Sequence, residues 1–356
     1  MSITRTFDNF REPITYQKPV NHCIFIVLKI LIIQTAFIGD VILATPVIER
    51  LHAFSPEAEI DFLLRKGNES LLANNPHVRE ILILNKRKNK YKNLLKMIGR
   101  VRRGSYDCII NIHRFLSSGL ITAFSGANQK IGFNKNPLSF FYTHRVTHSI
   151  NDKDNPNHET ERNLMLIHHI TDPTITQPKL YPDETDFSKV TIDSEYICIA
   201  PASVWYTKQF PEDKWIELID RMDQKFTVCL IGGKEDLPLC HTIQEKTTHE
   251  KIRILAGALS FLESAALMKN ARMNFVNDSA PLHLASAVNA PVTAIFCSTI
   301  PEFGFGPLSD VSHVMETEEK LECRPCGLHG KKRCPEKHFK CAEISIPRIL
   351  STSGLN

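Results

Sequence analysis

The stretch TAFIGDVILATPVI, residues 35–48, follows the apolar run Ile24–Ile33 and decides how the rest of the chain is read. The run reads as a buried parallel strand, since such strands are apolar on both faces. Ala36 and Gly39 are small enough for a tight turn, and Asp40 opens a helical pattern. Asp40 therefore stands where a strand end, a turn and a helix start meet. In open α/β sheets ligands collect outside the carboxyl ends of the strands, so this is a place for a site. The structural alternative is an N-cap whose carboxylate accepts backbone N–H bonds. Pro46 lacks a backbone donor and predicts a kink or a restart in the helical pattern Val41–Phe54.

The same alternation continues downstream. Strand patterns fall at Glu59–Leu64, Glu80–Leu84, Asp107–Ile112 and Lys130–Phe133. Helical patterns fall at Glu69–Ala73, Tyr91–Arg103 and Leu116–Phe124. Short β–α spacing implies a parallel sheet covered on both faces. Residues 134–157 lose the pattern and read as a long loop; its Asp152 and Asp154 read as solvated rather than as a metal pair. A helix pattern returns at His158–Ile170. Pro173, Pro178 and Pro182 then mark an extended connection and a domain boundary. A second series follows, with strands at Tyr196–Ala200, Thr227–Ile231, Ile252–Leu255, Met273–Val276 and Val292–Phe296. Helices at Pro211–Met222, Leu237–Thr247, Ser260–Asn270 and Ala280–Val288 alternate with them. The expected architecture is α/β, with two Rossmann-like halves of parallel sheet.

At 356 residues the chain is long enough for two such domains. Its net charge of +4, from 43 basic and 39 acidic residues, is too mild to argue nucleic-acid binding. Ile24–Ile33 contains Lys29 and is much shorter than the ~20 apolar residues of a membrane span. No small-residue cleavage site follows it, so it does not read as a signal segment. Residues 1–22 read as a polar tail, and the location expected is cytoplasmic.

Several fingerprints are missing. No G-x-G-x-x-G and no Walker A lysine motif occurs, which argues against hydride transfer and P-loop chemistry. Instead the second half carries three strand-end stretches. In PASVWYTKQFPEDKW, residues 201–215, Ser203 and Thr207 offer hydroxyls and Lys208 a point charge ahead of a helix start. That combination suits a diphosphate; on its own Lys208 would read as a surface lysine. After Gly232–Gly233, Glu235 could accept ribose hydroxyl bonds. In VNDSAPLHLASA, residues 276–287, Asn277, Asp278 and Ser279 lie at a strand end, with Asp278 or Ser279 as N-cap. His283 is one turn along and can reach back toward the cap.

Taken in order, TAFIGDVILATPVIERL, HETERNLMLI, PASVWYTKQFPEDKW, LIGGKED and NDSAPLHLASA resemble glycosyltransferase family 9, the lipopolysaccharide heptosyltransferases. The resemblance spans roughly residues 28–345. It implies a GT-B fold, with two Rossmann-like domains facing a cleft, and inverting, metal-independent sugar transfer from a nucleotide-diphospho-sugar, typically ADP-heptose. It implies a general base at Asp40 and a donor site of Ser203, Lys208, Glu235, Asp278, Ser279 and His283. One departure stands out: the family's glycine after D-[ST] is Ala280 here. The acceptor implied is a lipopolysaccharide core or related glycolipid, with transient contact at the inner membrane surface. Rival readings are a GT-B epimerase or phosphorylase, or a sugar-nucleotide-binding protein of this fold without transferase chemistry.

The implied division is a first domain at 23–178, a linker at 179–194, a nucleotide-sugar domain at 195–318 and a cysteine-rich segment at 319–356. His113 and Arg114, after the strand Asp107–Ile112, are the acceptor-side candidates. The basic stretch Lys86–Arg103 has Leu94, Leu95, Ile98 and Val101 at helical spacings and reads as a solvated helix docked on the sheet; an anionic lipid surface is the functional alternative. Cys323, Cys326, Cys334 and Cys341, opening with C-x-x-C, read as a structural zinc site. Two disulfides, disfavoured in the cytosol, or plain reduced thiols are the alternatives.

Overall fold

A computed structural model describes residues 28–150 and 158–355. The polar tail, Cys23, the first residues of the Ile24–Ile33 run, Asp152 and Asp154 lie outside the described residues.

The first half contains β1 (Lys29–Ile33), α1 (Ile38–Ile42), α2 (Thr45–Phe54), β2 (Glu59–Arg65), β3 (Glu80–Leu84), α3 (Lys90–Arg103), β4 (Cys108–Asn111), α4 (Leu116–Ala123), β5 (Gln129–Phe133) and β6 (His144–Val146). Next come α5 (Glu159–Leu164) and α6 (Glu184–Lys189). The second half contains β7 (Tyr196–Ala200), α7 (Glu212–Asp220), β8 (Thr227–Leu230), α8 (Leu237–Lys246), β9 (Ile252–Ile254), α9 (Phe261–Asn270), β10 (Asn274–Asn277), α10 (Ala280–Ala287), β11 (Val292–Phe296), β12 (Ser312–Glu316) and α11 (Ile346–Thr352).

Each half builds a six-stranded sheet, in the orders β3-β2-β1-β4-β5-β6 and β12-β11-β10-β7-β8-β9. Every pairing is parallel. The two orders are the same topology run twice, and each reverses direction once, between β1 and β4 and between β7 and β10. Those reversals open the crevices in which such sheets bind ligands. Asp40 follows β1 and His113 follows β4; Lys208 follows β7 and Asp278 follows β10. All four loops therefore leave the strands beside a switch point.

Pro46 restarts the helix rather than bending it: α1 ends at Ile42, and Pro46 sits in the first turn of α2, where its missing N–H is harmless. Four elements have no counterpart in the patterns read from the chain. β6 and β12 are half-exposed edge strands, without the apolar run that marks an inner strand. α6, ETDFSK, is polar and held by a capping box in which Asp183 and Asp186 each accept the other's backbone N–H. α11 lies beyond the cysteines, and its Ile346, Ile349 and Leu350 pack into the core around Trp215. Two further readings are corrected. The expected helix His158–Ile170 is regular only over α5. On α3 the buried face is Leu94, Met97 and Val101, while Leu95 is 69% exposed and points away from the sheet.

One apolar cluster runs through both sheets, from Ile30, Val47 and Leu164 to Cys198, Val276 and Leu282. The linker touches both sides of that seam: Lys179 N–H donates to the Thr45 hydroxyl (2.9 Å) and Leu180 N–H to the Ala287 carbonyl (3.1 Å).

Candidate active site

The loop after β1 brings Asp40 into α1 at its third residue. The N-cap is Phe37, and the Asp40 carboxylate reaches back to accept the Phe37 N–H (3.1 Å). The N-cap expectation for Asp40 is thus off by one turn of reach, and the carboxylate closes the helix start from inside. Burial lifts the Asp40 pKa to about 6; the Glu159 charge adds to this, while the Phe37 N–H and Arg114 oppose it. Gly39 does not serve a left-handed turn. A Cβ there would lie 2.8 Å from Cδ2 of His283, so the glycine makes room for a ring from the other sheet.

Behind Asp40 lies a buried polar chain. Arg114 donates to Nδ1 of His148 (2.7 Å), and Nε2 of His148 bonds Glu159 (3.1 Å). Glu159 also accepts from Nε of Arg162 (2.7 Å). Burial alone would raise the Glu159 pKa, but the His148 hydrogen bond and the Arg162 and Arg114 charges hold it to about 2. Arg114 is thus tied inward, and its charge faces Asp40. His113 is buried, with Nδ1 3.1 Å from the Thr35 hydroxyl. Burial, with Lys86 and Arg114 nearby, lowers its pKa to about 3 and keeps the ring neutral. The solvated reading of the basic stretch does not hold for Lys86, which precedes α3 and turns inward, donating to both oxygens of Thr35 at 2.9 Å. Burial lowers its pKa to about 8.

On the second sheet the Lys208 ammonium pairs with Asp278 (2.6 Å), which also accepts from the Thr299 hydroxyl (2.6 Å). Asn277, the last residue of β10, anchors the Lys208 loop. Its amide donates to the Pro201 carbonyl (2.9 Å) and its oxygen accepts the Phe210 N–H (2.8 Å). Ser279 is the N-cap of α10, although its hydroxyl caps no N–H and lies 3.3 Å from the Asn277 carbonyl. His283 does not reach back to the cap. It is buried against Gly39, and its Nδ1 has no partner among the described residues. Burial lowers its pKa to about 4 against the pull of Asp278.

Two donor-side candidates stand apart. Ser203 is half-buried; its carbonyl accepts from the Gln209 amide (2.7 Å). Glu235 is exposed, and among the described residues no hydrogen bond or ion pair joins it to Lys208 or Asp278. The Gly232–Gly233 turn is closed by Asp236, which accepts the Gly233 N–H (2.8 Å). Thr207 is 1% exposed, and its hydroxyl is engaged with Lys331 and Ser298 rather than open to a ligand.

Among the described residues, no group of three or more His, Cys, Asp or Glu side chains is placed to hold a metal ion. Cys326 is bonded to the Cys323 carbonyl (3.3 Å), and Cys341 is buried in the Trp215 core, its thiol pushed up to about 12 by burial.

Glu159, His148 and Lys86 are the site-lining groups that motif reading did not assign. Glu159 lies inside the HETERN stretch, where a charged run on a helix looks solvated; only the packing of α5 against α2 reveals it as buried.

The profile of glycosyltransferase family 9 (heptosyltransferase) matches residues 94–338. The chain is 30% identical over 283 residues to lipopolysaccharide heptosyltransferase 3 of Escherichia coli K12, covering 73% of this chain and 80% of that protein. Its fold is similar to that of a glycosyltransferase family 9 protein from Veillonella parvula, with a TM-score of 0.77, 18% identity and coverage of 92% and 96%. It is also similar to that of the E. coli ADP-heptose lipopolysaccharide heptosyltransferase II, with a TM-score of 0.76, 22% identity and coverage of 92% and 98%.

Proposed function

The chain belongs to glycosyltransferase family 9, and from that membership we propose that it moves heptose from ADP-heptose to a lipopolysaccharide core acceptor, with Asp40 as general base. It is an enzyme, a glycosyltransferase with the GT-B arrangement of two Rossmann-like sheets. The observation that carries the proposal for its chemistry is the contact of Gly39 with His283. That contact sets Asp40 of the first sheet beside the helix that begins just after the Lys208–Asp278 pair.

In the proposed reaction an acceptor hydroxyl attacks the anomeric carbon. The bond from that carbon to the diphosphate oxygen breaks, and the hydroxyl proton passes to Asp40. With its pKa lifted to about 6, Asp40 is ionised at neutral pH yet basic enough to take the proton. The departing diphosphate gains negative charge, which Lys208 is placed to meet. Asp278, itself held by the Thr299 hydroxyl, holds that ammonium, so its orientation does not have to be found during reaction. Ser203, Ser279, His283 and Glu235 are the remaining donor-side proposals, with Glu235 toward the nucleoside. His113 and Arg114 bound the acceptor side, where Arg114 acts through its hold on His148 and its charge near Asp40. The test is incubation with ADP-heptose and a core acceptor truncated before its heptose. A mass increment of one heptose is the expected result. Donor hydrolysis without acceptor-dependent product would overturn the assignment of the reaction, and ADP-heptose binding without turnover would return the non-catalytic reading.

The acceptor is a glycolipid, so we place the enzyme at the cytoplasmic face of the inner membrane as a peripheral protein. Supporting this are the exposed Phe115, Leu116, Phe140 and Phe141 and the outer face of α3, where Tyr91 and Leu95 stand among lysines and arginines. No helix among the described residues is long and apolar enough to cross a membrane. A structural zinc held by Cys323, Cys326, Cys334 and Cys341 remains a separate proposal. Their crowding into one segment supports it, and it requires the thiols to converge further than they do here. Elemental analysis of freshly reduced, unchelated protein is expected to find about one zinc per chain, as four-thiolate sites do; a metal-free chain removes it.

A further inference from the structure

The cysteine-rich segment does not hang clear of the second sheet; it runs against the loop that carries Lys208. The Thr207 N–H donates to the Lys331 carbonyl (3.1 Å), and the Lys331 N–H donates to the Thr207 hydroxyl oxygen (2.7 Å). That oxygen also accepts from the Ser298 hydroxyl (3.0 Å), while the Cys326 N–H donates to the Ser298 carbonyl (2.9 Å). Arg324 fastens the same junction, donating to the carbonyls of Cys297 and Thr299, each at 2.7 Å, and pairing with Glu316.

Gly330 is where the segment comes closest. Its φ is +72°, and a Cβ there would lie 2.7 Å from Cγ of Lys208 and 3.2 Å from the Thr207 hydroxyl. A side chain at 330 is excluded twice, by the left-handed backbone and by the stem of the lysine. His329, one residue back from that contact, is exposed, and the charges of Lys208, Arg114 and Asp278 act on it. Two of these belong to the Lys208–Asp278 pair, and the third follows β4 on the opposite sheet.

We propose that residues 323–341 form a wall of the donor site, in which Thr207 and Gly330 position Lys208 and His329 is a further contact for the donor diphosphate. The inference rests on the reading of Lys208 as the diphosphate contact. Its physical basis is preorganisation. A lysine stem is flexible and loses rotamer freedom when its ammonium is fixed on a ligand. Packing that stem between Gly330 and Asp278 removes the loss from the binding step. An imidazole N–H beside the ammonium supplies a second donor to phosphate oxygens.

The test is calorimetric titration of the full-length protein with ADP, with steady-state KM for sugar nucleotide and for acceptor measured alongside. Thr207→Val and Gly330→Ala are expected to weaken ADP binding about tenfold or more, and His329→Ala about three- to tenfold, with acceptor KM unchanged. Thr207→Ser keeps the hydroxyl and is expected to bind ADP as the wild type does, a recovery that loss of fold would not produce. His329 is exposed, so His329→Ala tests the wall even where Gly330→Ala fails to fold. If Lys208→Ala loses ADP while the Thr207→Val and His329→Ala proteins bind it within about twofold of wild type, the wall is removed and the donor site stands. If Lys208→Ala also binds ADP normally, the reading of Lys208 falls and the inference falls with it.

Discussion

The raised pKa that suits Asp40 to its proposed role as general base is also what strains the fold. Its carboxyl ionises near 3.8 when free and near 6 in the folded chain. A folded-state pKa above the unfolded one means the native state holds the proton more tightly. Stability therefore falls as pH rises from about 3.8 to about 6 and stays lowered above that. Asp40→Asn removes the anion without changing shape. It is expected to raise stability at pH 8 by about 1–2 kcal/mol, a figure reduced for the half-exposed carboxylate, and to leave it unchanged at pH 4. Denaturant titrations at the two pH values check this; an equal effect at both would show that ionisation is not the cause. The same variant is expected to lower kcat by ~10²–10⁴-fold with ADP affinity intact. In the wild type, kcat/KM should fall below about pH 6 as Asp40 gains its proton. Glu159→Gln removes a charge that raises the Asp40 pKa and should move that limb to lower pH, an outcome read from the pH–rate profile.

At the scale of elements, α3 separates sheet packing from surface chemistry. Leu94, Met97 and Val101 are buried and hold it to the first sheet, while Tyr91 is 76% and Leu95 69% exposed. An amphipathic helix of this kind can bind anionic lipid through its outer face without touching its buried one. Neutralising Lys88, Lys92 and Arg103 together is expected to reduce cosedimentation with vesicles containing acidic phospholipid and to leave ADP affinity unchanged. Loss of ADP binding in that triple variant would mean the basic stretch serves the donor. The contrast with α10 is instructive. There Leu282, Leu284 and Ala285 are buried, and so is the polar His283, because the helix is packed between its own sheet and α1 of the first half instead of facing solvent.

Across the whole molecule the two sheets are joined by a continuous apolar cluster and by linker hydrogen bonds to α2 and α10. The seam between the halves lies along that shared core, and Gly39 against His283 is one place where they touch. Gly39→Ala would force that ring to move inside packed surroundings, and such overpacking typically costs about 1–3 kcal/mol. The expected outcome is a loss of kcat of about tenfold or more together with weaker ADP binding, because the ring displaced is that of His283, a proposed donor contact. Wild-type turnover in Gly39→Ala would show that this contact does not govern how Asp40 meets the donor.

By itself the sequence determined the alternation of strands and helices, the doubled parallel-sheet architecture and the strand ends that carry Asp40, Lys208 and Asp278. These are local matters: an inner parallel strand must be apolar on both faces, and a helix start needs a particular cap or proline. The tertiary structure alone decided which polar groups are withdrawn from solvent and by what. β6 and β12 are edge strands with no apolar signature, so only their pairing with β5 and β11 makes them strands. Glu159 reads as a surface charge until α5 packs it among His148, Arg162 and Arg114. Gly39 looks like a turn glycine until a histidine far along the chain occupies the space its missing Cβ leaves. Thr207 looks like a ligand hydroxyl until Lys331, 124 residues away, claims it. Contacts at such separation depend on the path of the backbone through the whole fold, and no local spacing encodes them.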